Sequence, residues 1–128
     1  RAFDPVVVAD TIAYITLRDS WINTLGDVLL SVSIANINIP RNLDTLSIST
    51  PYGLAVSDSL VYVAKGNGGY ALINATTPSS LTVDTAWTTP AARDFIWTGN
   101  DLYFMGMNSL AKYDVTDPRN PALVWSLP

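Results

Sequence analysis

Leu110-Ala111-Lys112-Tyr113-Asp114-Val115-Thr116-Asp117-Pro118-Arg119-Asn120-Pro121 decides the fold. Leu110 to Val115 alternates as a short strand and runs straight into an Asp-Pro turn. Pro121 ends the turn, and a second apolar run, Ala122 to Leu127, follows. Strand, Asp-Pro turn, strand is one edge of a repeating unit, and two weaker copies lie upstream.

The first copy opens with Val6-Val7-Val8 after Pro5, a short buried-strand pattern. Asp10-Thr11 makes a turn, and Ile12 to Leu17 alternates as the next strand. Residues 18–28 break the pattern as a long, partly polar loop carrying Trp21. Further strands are expected at Leu29 to Ala35 and Thr45 to Ser49, on either side of a turn from Asn36 to Pro40. The second copy reads as strands Tyr52 to Val56, Leu60 to Ala64, Tyr70 to Ala75 and Leu81 to Trp87. Its Lys65-Gly66-Asn67-Gly68-Gly69 loop supplies the positive-φ positions of a hairpin. That loop lacks the Lys-Ser/Thr ending and the following helix of a phosphate loop. The third copy reads as Arg93 to Thr98, Leu102 to Met105, Leu110 to Val115 and Ala122 to Leu127.

The three copies align. Tyr14, Tyr62 and Tyr103 hold one place in the second strand, while Ser33, Asn74 and Asp114 close the third at near-constant spacing. Pro40 coincides with Pro121, and Pro78 with Pro118. Units of about 40 residues with four short strands each are the signature of propeller blades. The expectation is therefore an all-β chain of about three four-stranded antiparallel blades, at 1–50, 51–89 and 90–128. The alternative is an irregular β-sandwich of twelve short strands.

Composition supports strands. Of 128 residues, 48% are hydrophobic and only 14% charged, so there is material for a core and little reason for disorder. All 11 acidic residues are Asp. A net charge of −4 and a pI near 4.3 argue against nucleic acid or an anionic membrane as partner. With no Cys there is neither a disulfide framework nor a thiolate metal site. No apolar run approaches the roughly 18 residues a membrane span needs. The chain opens on Arg1-Ala2-Phe3-Asp4, which reads as a processed product or part of something longer.

The runs Leu29-Leu30-Ser31-Val32-Ser33-Ile34, Tyr70-Ala71-Leu72-Ile73-Asn74-Ala75 and Leu110-Ala111-Lys112-Tyr113-Asp114-Val115 resemble the LVIVD repeat. Asp117-Pro118-Arg119-Asn120-Pro121 matches the turn that follows that motif, and Thr11 to Ile15 and Ser59 to Val63 match the strand before it. Ser33 and Asn36 replace both aspartates in the first copy. LVIVD-repeat proteins are bacterial and archaeal cell-surface or secreted proteins, and the lead-ins Phe3-Asp4-Pro5-Val6 and Pro51-Tyr52-Gly53-Leu54 are similar to those of Bacteroidota surface proteins. The resemblance implies a β-propeller and an extracellular or cell-surface location. It implies no established enzymatic activity and no catalytic residues to carry over, and no cofactor is expected.

Three blades do not close a ring, since propellers use roughly four to eight. A three-blade wedge leaves apolar flanks that are normally covered. The expected partners are other blades of a longer chain or further copies of the chain in a ring or filament.

Asn74, Asp114 and Asp117 read as structural turn residues whose side chains accept backbone N–H bonds. A Ca²⁺ site in the same turn lacks the further oxygen ligands it needs. Without His, Cys or Glu the usual bases and nucleophile activators are missing. The expected function is a non-enzymatic module for protein or glycan interaction, or for building an extracellular assembly. The alternative is a polysaccharide-acting hydrolase or lyase using paired Asp residues. Arg18, Asp19 and Trp21 in the long loop form the candidate contact patch. Trp87, Trp97 and Trp125 sit in strand patterns and read as core or blade-interface residues. Asp10-Thr11-Ile12, Asp44-Thr45-Leu46, Asp58-Ser59-Leu60 and Asp84-Thr85-Ala86 share an Asp-Ser/Thr-apolar triplet. It resembles the O-glycosylation signal of Bacteroidota secreted proteins, which would make Thr11, Thr45, Ser59 and Thr85 sugar acceptors. The same triplet is also a turn leading into a strand.

Overall fold

A computed structural model describes residues 5–18 and 26–128. These form three four-stranded antiparallel sheets and no helix. The first sheet holds β1 (Val6–Ala9), β2 (Ile12–Leu17), β3 (Val28–Ser33) and β4 (Arg41–Ser47). The second holds β5 (Leu54–Ser57), β6 (Leu60–Ala64), β7 (Tyr70–Asn74) and β8 (Thr82–Trp87). The third holds β9 (Asp94–Thr98), β10 (Asp101–Met105), β11 (Leu110–Asp114) and β12 (Ala122–Leu127). In each sheet the strands pair in chain order, as a meander. The sheets approach most closely through their first strands, β1 against β5 and β5 against β9. They stand side by side like blades, and the ring is not closed.

Equivalent positions do equivalent work in all three sheets. The first hairpins turn at Asp10-Thr11, Asp58-Ser59 and Gly99-Asn100, with φ of 55°, 51° and 60° at the first residue of each. Asp tolerates this left-handed conformation better than most side chains, and Gly adopts it freely. The third strands end on a polar side chain that accepts the N–H two residues on. Ser33 Oγ takes Ala35 N (3.5 Å), Asn74 Oδ1 takes Thr76 N (2.9 Å) and Asp114 Oδ1 takes Thr116 N (2.8 Å). The turn then closes through backbone bonds from Ile39 N to Asn36 O, Ser80 N to Thr77 O and Asn120 N to Asp117 O. A register shift follows between the third and fourth strands, at Ser31/Val32, Leu72/Ile73 and Lys112/Tyr113. Bulges re-aim a strand and raise its twist, and this one recurs at one position three times.

The strands differ from the sequence expectation chiefly at β4, which begins at Arg41 rather than Thr45. Arg41 and Asn42 have low strand propensity, but they pair with Ser33 and Val32 before the bulge. Pairing outweighs intrinsic preference here.

Each sheet has two faces, a rear face toward the preceding sheet and a forward face toward the next. Tyr14 and Leu29 on the forward face of the first sheet pack with Leu54, Val61, Val63, Ala71 and Ile73 on the rear face of the second. Ala55, Tyr62, Ala64, Tyr70 and Leu72 on the second sheet's forward face pack with Phe95, Leu102, Phe104 and Ala111 of the third. The middle sheet is therefore apolar on alternate positions of both kinds, and every residue from Val61 to Ala64 is buried. A sheet covered on both faces needs such a continuous apolar run.

Polar groups at the edges lock the same stacking. Ser31 Oγ donates to the Pro78 carbonyl, and Tyr62 Oη donates to the Pro118 carbonyl. Pro78 and Pro118 are equivalent turn residues, so in both cases a side chain of one sheet holds the Pro turn of the next. Asp44 Oδ2 accepts from Leu81 N at 2.7 Å, and Asp84 Oδ2 pairs with Arg119 Nη2 at 2.7 Å. Fourth-strand aspartates thus also reach the following sheet.

Candidate functional site

The strands' common direction decides which residues meet. Second strands end, and first strands begin, at the same end of the molecule. Arg18 follows β2, Tyr52 precedes β5 and Arg93 precedes β9, so each sheet brings one side chain to that end. The Arg18 guanidinium carbon lies 3.6 Å from the centroid of the Tyr52 ring, and that of Arg93 lies 4.4 Å away. All three side chains are half-buried.

Backbone bonds hold the cluster. Tyr52 N donates to Ala64 O (2.7 Å), Thr16 Oγ1 donates to Tyr52 O (2.6 Å) and Arg18 Nη1 donates to Pro51 O (3.1 Å). Gly53 N donates to Arg93 O at 2.9 Å. A Cβ at Gly53 would stand 2.7 Å from Asp94 Cα, and one at Gly66 would stand 2.6 Å from Tyr52 Cε2. Glycine at both positions lets the second and third sheets close around the ring.

The electrostatics are one-sided. Both guanidinium carbons lie against the same ring, so the two cations are near neighbours whichever faces they occupy. Two unit charges no more than roughly 8 Å apart repel by at least about 0.5–2 kcal/mol, depending on the effective dielectric. Cation–π attraction offsets part of that, at about 0.5–1 kcal/mol per contact. Among the described residues the ion pairs are Lys112–Asp101 and Arg119–Asp84, so no described carboxylate pairs with Arg18 or Arg93. In a chain of net charge −4, two cations share one ring with no described counter-charge. An oxyanion would find paired guanidinium forks there.

Alongside, a wide groove of about 350 Å³ runs past the three first strands, lined by Val7, Val8, Leu54, Val56, Phe95 and Trp97. On the forward face of the third sheet a shallow depression of about 60 Å³ is lined by Phe95, Ile96, Tyr103, Met105 and Leu110. Ile96, Met105 and Leu127 there are more than half exposed.

Of the sequence candidates, Arg18 belongs to the cluster, whereas Asp19 and Trp21 lie outside the described residues. Tyr52 and Arg93 escaped sequence reading because only the stacking of sheets brings them together. Strand-end parity was the signal that could have found them. Trp87 and Trp97 pack at the interface of the second and third sheets. Trp125 differs: it lies on the open face, edge-on to Tyr103 with centroids 6.3 Å apart.

Thr11 and Ser59 occupy hairpin turns, and Thr45 and Thr85 lie on fourth strands. Thr11 and Thr45 are exposed, and Ser59 and Thr85 half-buried. Thr85 Oγ1 donates to Asp84 Oδ1 at 2.8 Å.

The carboxylates have local tasks. Asp114 takes both Thr116 groups, Asp117 takes Arg119 N and Asn120 Nδ2, and Asp94 takes Phe95 N. The hydroxyl and N–H of Thr116 hold Asp114, Asn120 holds Asp117, and Arg119 holds Asp84, each below the usual carboxylate range. No group of three metal-ligating side chains occurs among the described residues. No helix there is long and apolar enough to cross a membrane. No family model matches the chain, and no curated protein matches it.

Proposed function

We propose that the chain is a non-enzymatic binding module of propeller-like blades, working at the cell surface or outside it. Its ligand carries an acidic group, on a surface glycan or a surface protein. The observation that carries this reading is the Arg18–Tyr52–Arg93 cluster, to which all three sheets contribute. The extracellular setting rests on the resemblance to LVIVD-repeat surface proteins alone.

The hydrolase or lyase alternative needs a general acid with a raised pKa beside a second carboxylate. Asp84, Asp114 and Asp117 are shifted the opposite way, each by bonds to its ionised form. That favours the binding reading.

The test is NMR titration with a glucuronate oligosaccharide, following the Nε–Hε signals of Arg18 and Arg93. Saturable shifts of both, with the Arg18 shift lost in Arg93→Met but kept in Arg41→Met, are the expected result. Equal shifts at Arg41 would mean unspecific charge attraction and end the proposal. Sugar attachment at Thr11, Thr45, Ser59 or Thr85 is a separate reading, checked by intact mass on natively produced protein. A mass equal to the bare chain removes it.

A further inference from the structure

The two internal interfaces use one register, and that register specifies a third. On the forward side, Ala55, Ala64, Tyr70 and Trp87 of the second sheet are covered by the third. Their equivalents in the third sheet, one repeat further on, are Ile96, Met105, Leu110 and Leu127, exposed at 66%, 52%, 38% and 56%, while Leu60 and Leu72 are replaced by Asp101 and Lys112, which pair with each other at 3.3 Å. On the rear side, Leu54, Val56, Val61, Val63, Ala71 and Ile73 of the second sheet lie under the first. Their equivalents in the first sheet are Val6, Val8, Ala13, Ile15, Leu30 and Val32; Val6 and Val8 are each 54% exposed, Ile15, Leu30 and Val32 are half-buried, and Ala13 is buried. No described sheet packs on either outer face.

The turns carry the same message. The Pro78 and Pro118 carbonyls each accept a hydrogen bond from the preceding sheet. The equivalent residue in the first sheet is Ile37, which is 80% exposed. The described residues therefore present a largely apolar forward face, crossed by the Lys112–Asp101 pair, on one side and a partly exposed apolar rear face, with the Ile37 turn, on the other. The two ends complement each other as the internal faces do.

We propose that a second copy of the chain docks head to tail, its first sheet's rear face on the third sheet's forward face. In that register Tyr103, the equivalent of Tyr62, donates its hydroxyl to the Ile37 carbonyl of the second copy. The contact is heterologous, so repetition closes a ring of copies or extends a filament according to the rotation per sheet. Two copies supply six sheets, within the range that closes a propeller. This interface is independent of the oxyanion site, and either stands without the other.

Sedimentation of the whole chain between about 1 µM and 1 mM spans the weak range of specific association. The 13.8 kDa monomer should give way to larger species as concentration rises. Met105→Asp on the forward face and Val8→Asp on the rear face should each weaken association at least tenfold. Mixed together, the two variants retain one intact face each, so they should form a heterodimer and nothing larger. Leu127→Asp and Val6→Asp replace them if circular dichroism shows either variant unfolded. A monomer throughout the range would overturn the proposal. So would undiminished pairing of Val8→Asp alone, which would mean like faces meeting.

Discussion

The second and third sheets are built on one plan and meet different fates. Tyr62 and Tyr103 hold the same place, but Tyr62 is wholly buried and hydrogen-bonded to the next turn, while Tyr103 faces outward. Ala64 and Tyr70 are buried where Met105 and Leu110 are exposed. The third sheet has become polar only in part: Lys112 and Asp101, an ion pair at 3.3 Å, stand where the second sheet has Leu72 and Leu60, while Ile96, Met105, Leu110, Trp125 and Leu127 remain apolar on its forward face. Soluble surfaces rarely leave such a patch contiguous unless something covers it. The sheets differ chiefly in what is packed on them, and at Lys112 and Asp101 also in what they are made of.

Paired substitutions should break that comparison if it is wrong. Leu72→Ala removes a fully buried side chain between the sheets and should cost about 2–5 kcal/mol. Leu110→Ala on the open face should stay within about 0.5 kcal/mol in dilute monomer. Urea denaturation of both measures the contrast, and equal costs would deny that the faces differ. Tyr62→Phe comes next. It leaves the Pro118 carbonyl without its donor and should cost about 1–3 kcal/mol, whereas Tyr103→Phe should cost nothing measurable at micromolar concentration.

Alkaline pH sharpens the same point. Burial pushes Tyr70 up to about 12 and Tyr62 higher still, from the ordinary 10.0. A raised folded-state pKa means the folded form holds its proton more tightly. The stabilisation is complete below about pH 10 and is lost as pH climbs toward 12 and beyond. Thermal melts should fall across that window, and Tyr70→Phe should flatten the fall. The smallest effects belong to the exposed turn. Asp114 is held below its ordinary pKa by Thr116, so its contribution is present at neutral pH and lost as pH drops below about 4. Asp114→Ala should slightly lower the melting point at pH 7 and leave it unchanged at pH 3.

The blade plan was legible because its punctuation is local. Asp10, Asp58, Asn74 and Asp114 act within two residues of themselves, so the turn chemistry can be read from neighbours alone. What lay beyond reading was set between sheets. Arg41 and Asn42 join β4 only because Ser33 and Val32 are there to pair with. Asp44 and Asp84, which look like turn residues, reach into the following sheet instead. Arg18 stood out as a loop cation, but its companions Tyr52 and Arg93 belong to the second and third repeats, far along the chain. Trp125 fits a strand pattern whether its face is covered or open, and only the missing neighbour tells which.

Front-to-back stacking in a single register can be tested where it has not yet been used, between molecules. The chain has no cysteine, so single variants Leu110→Cys and Val8→Cys each report on one outer face. Treated with a short bismaleimide at high concentration, a mixture of the two should yield mainly the mixed cross-linked pair. Each variant alone should yield little. Like-with-like pairs in excess, or no cross-link at all, would contradict the stacking rule.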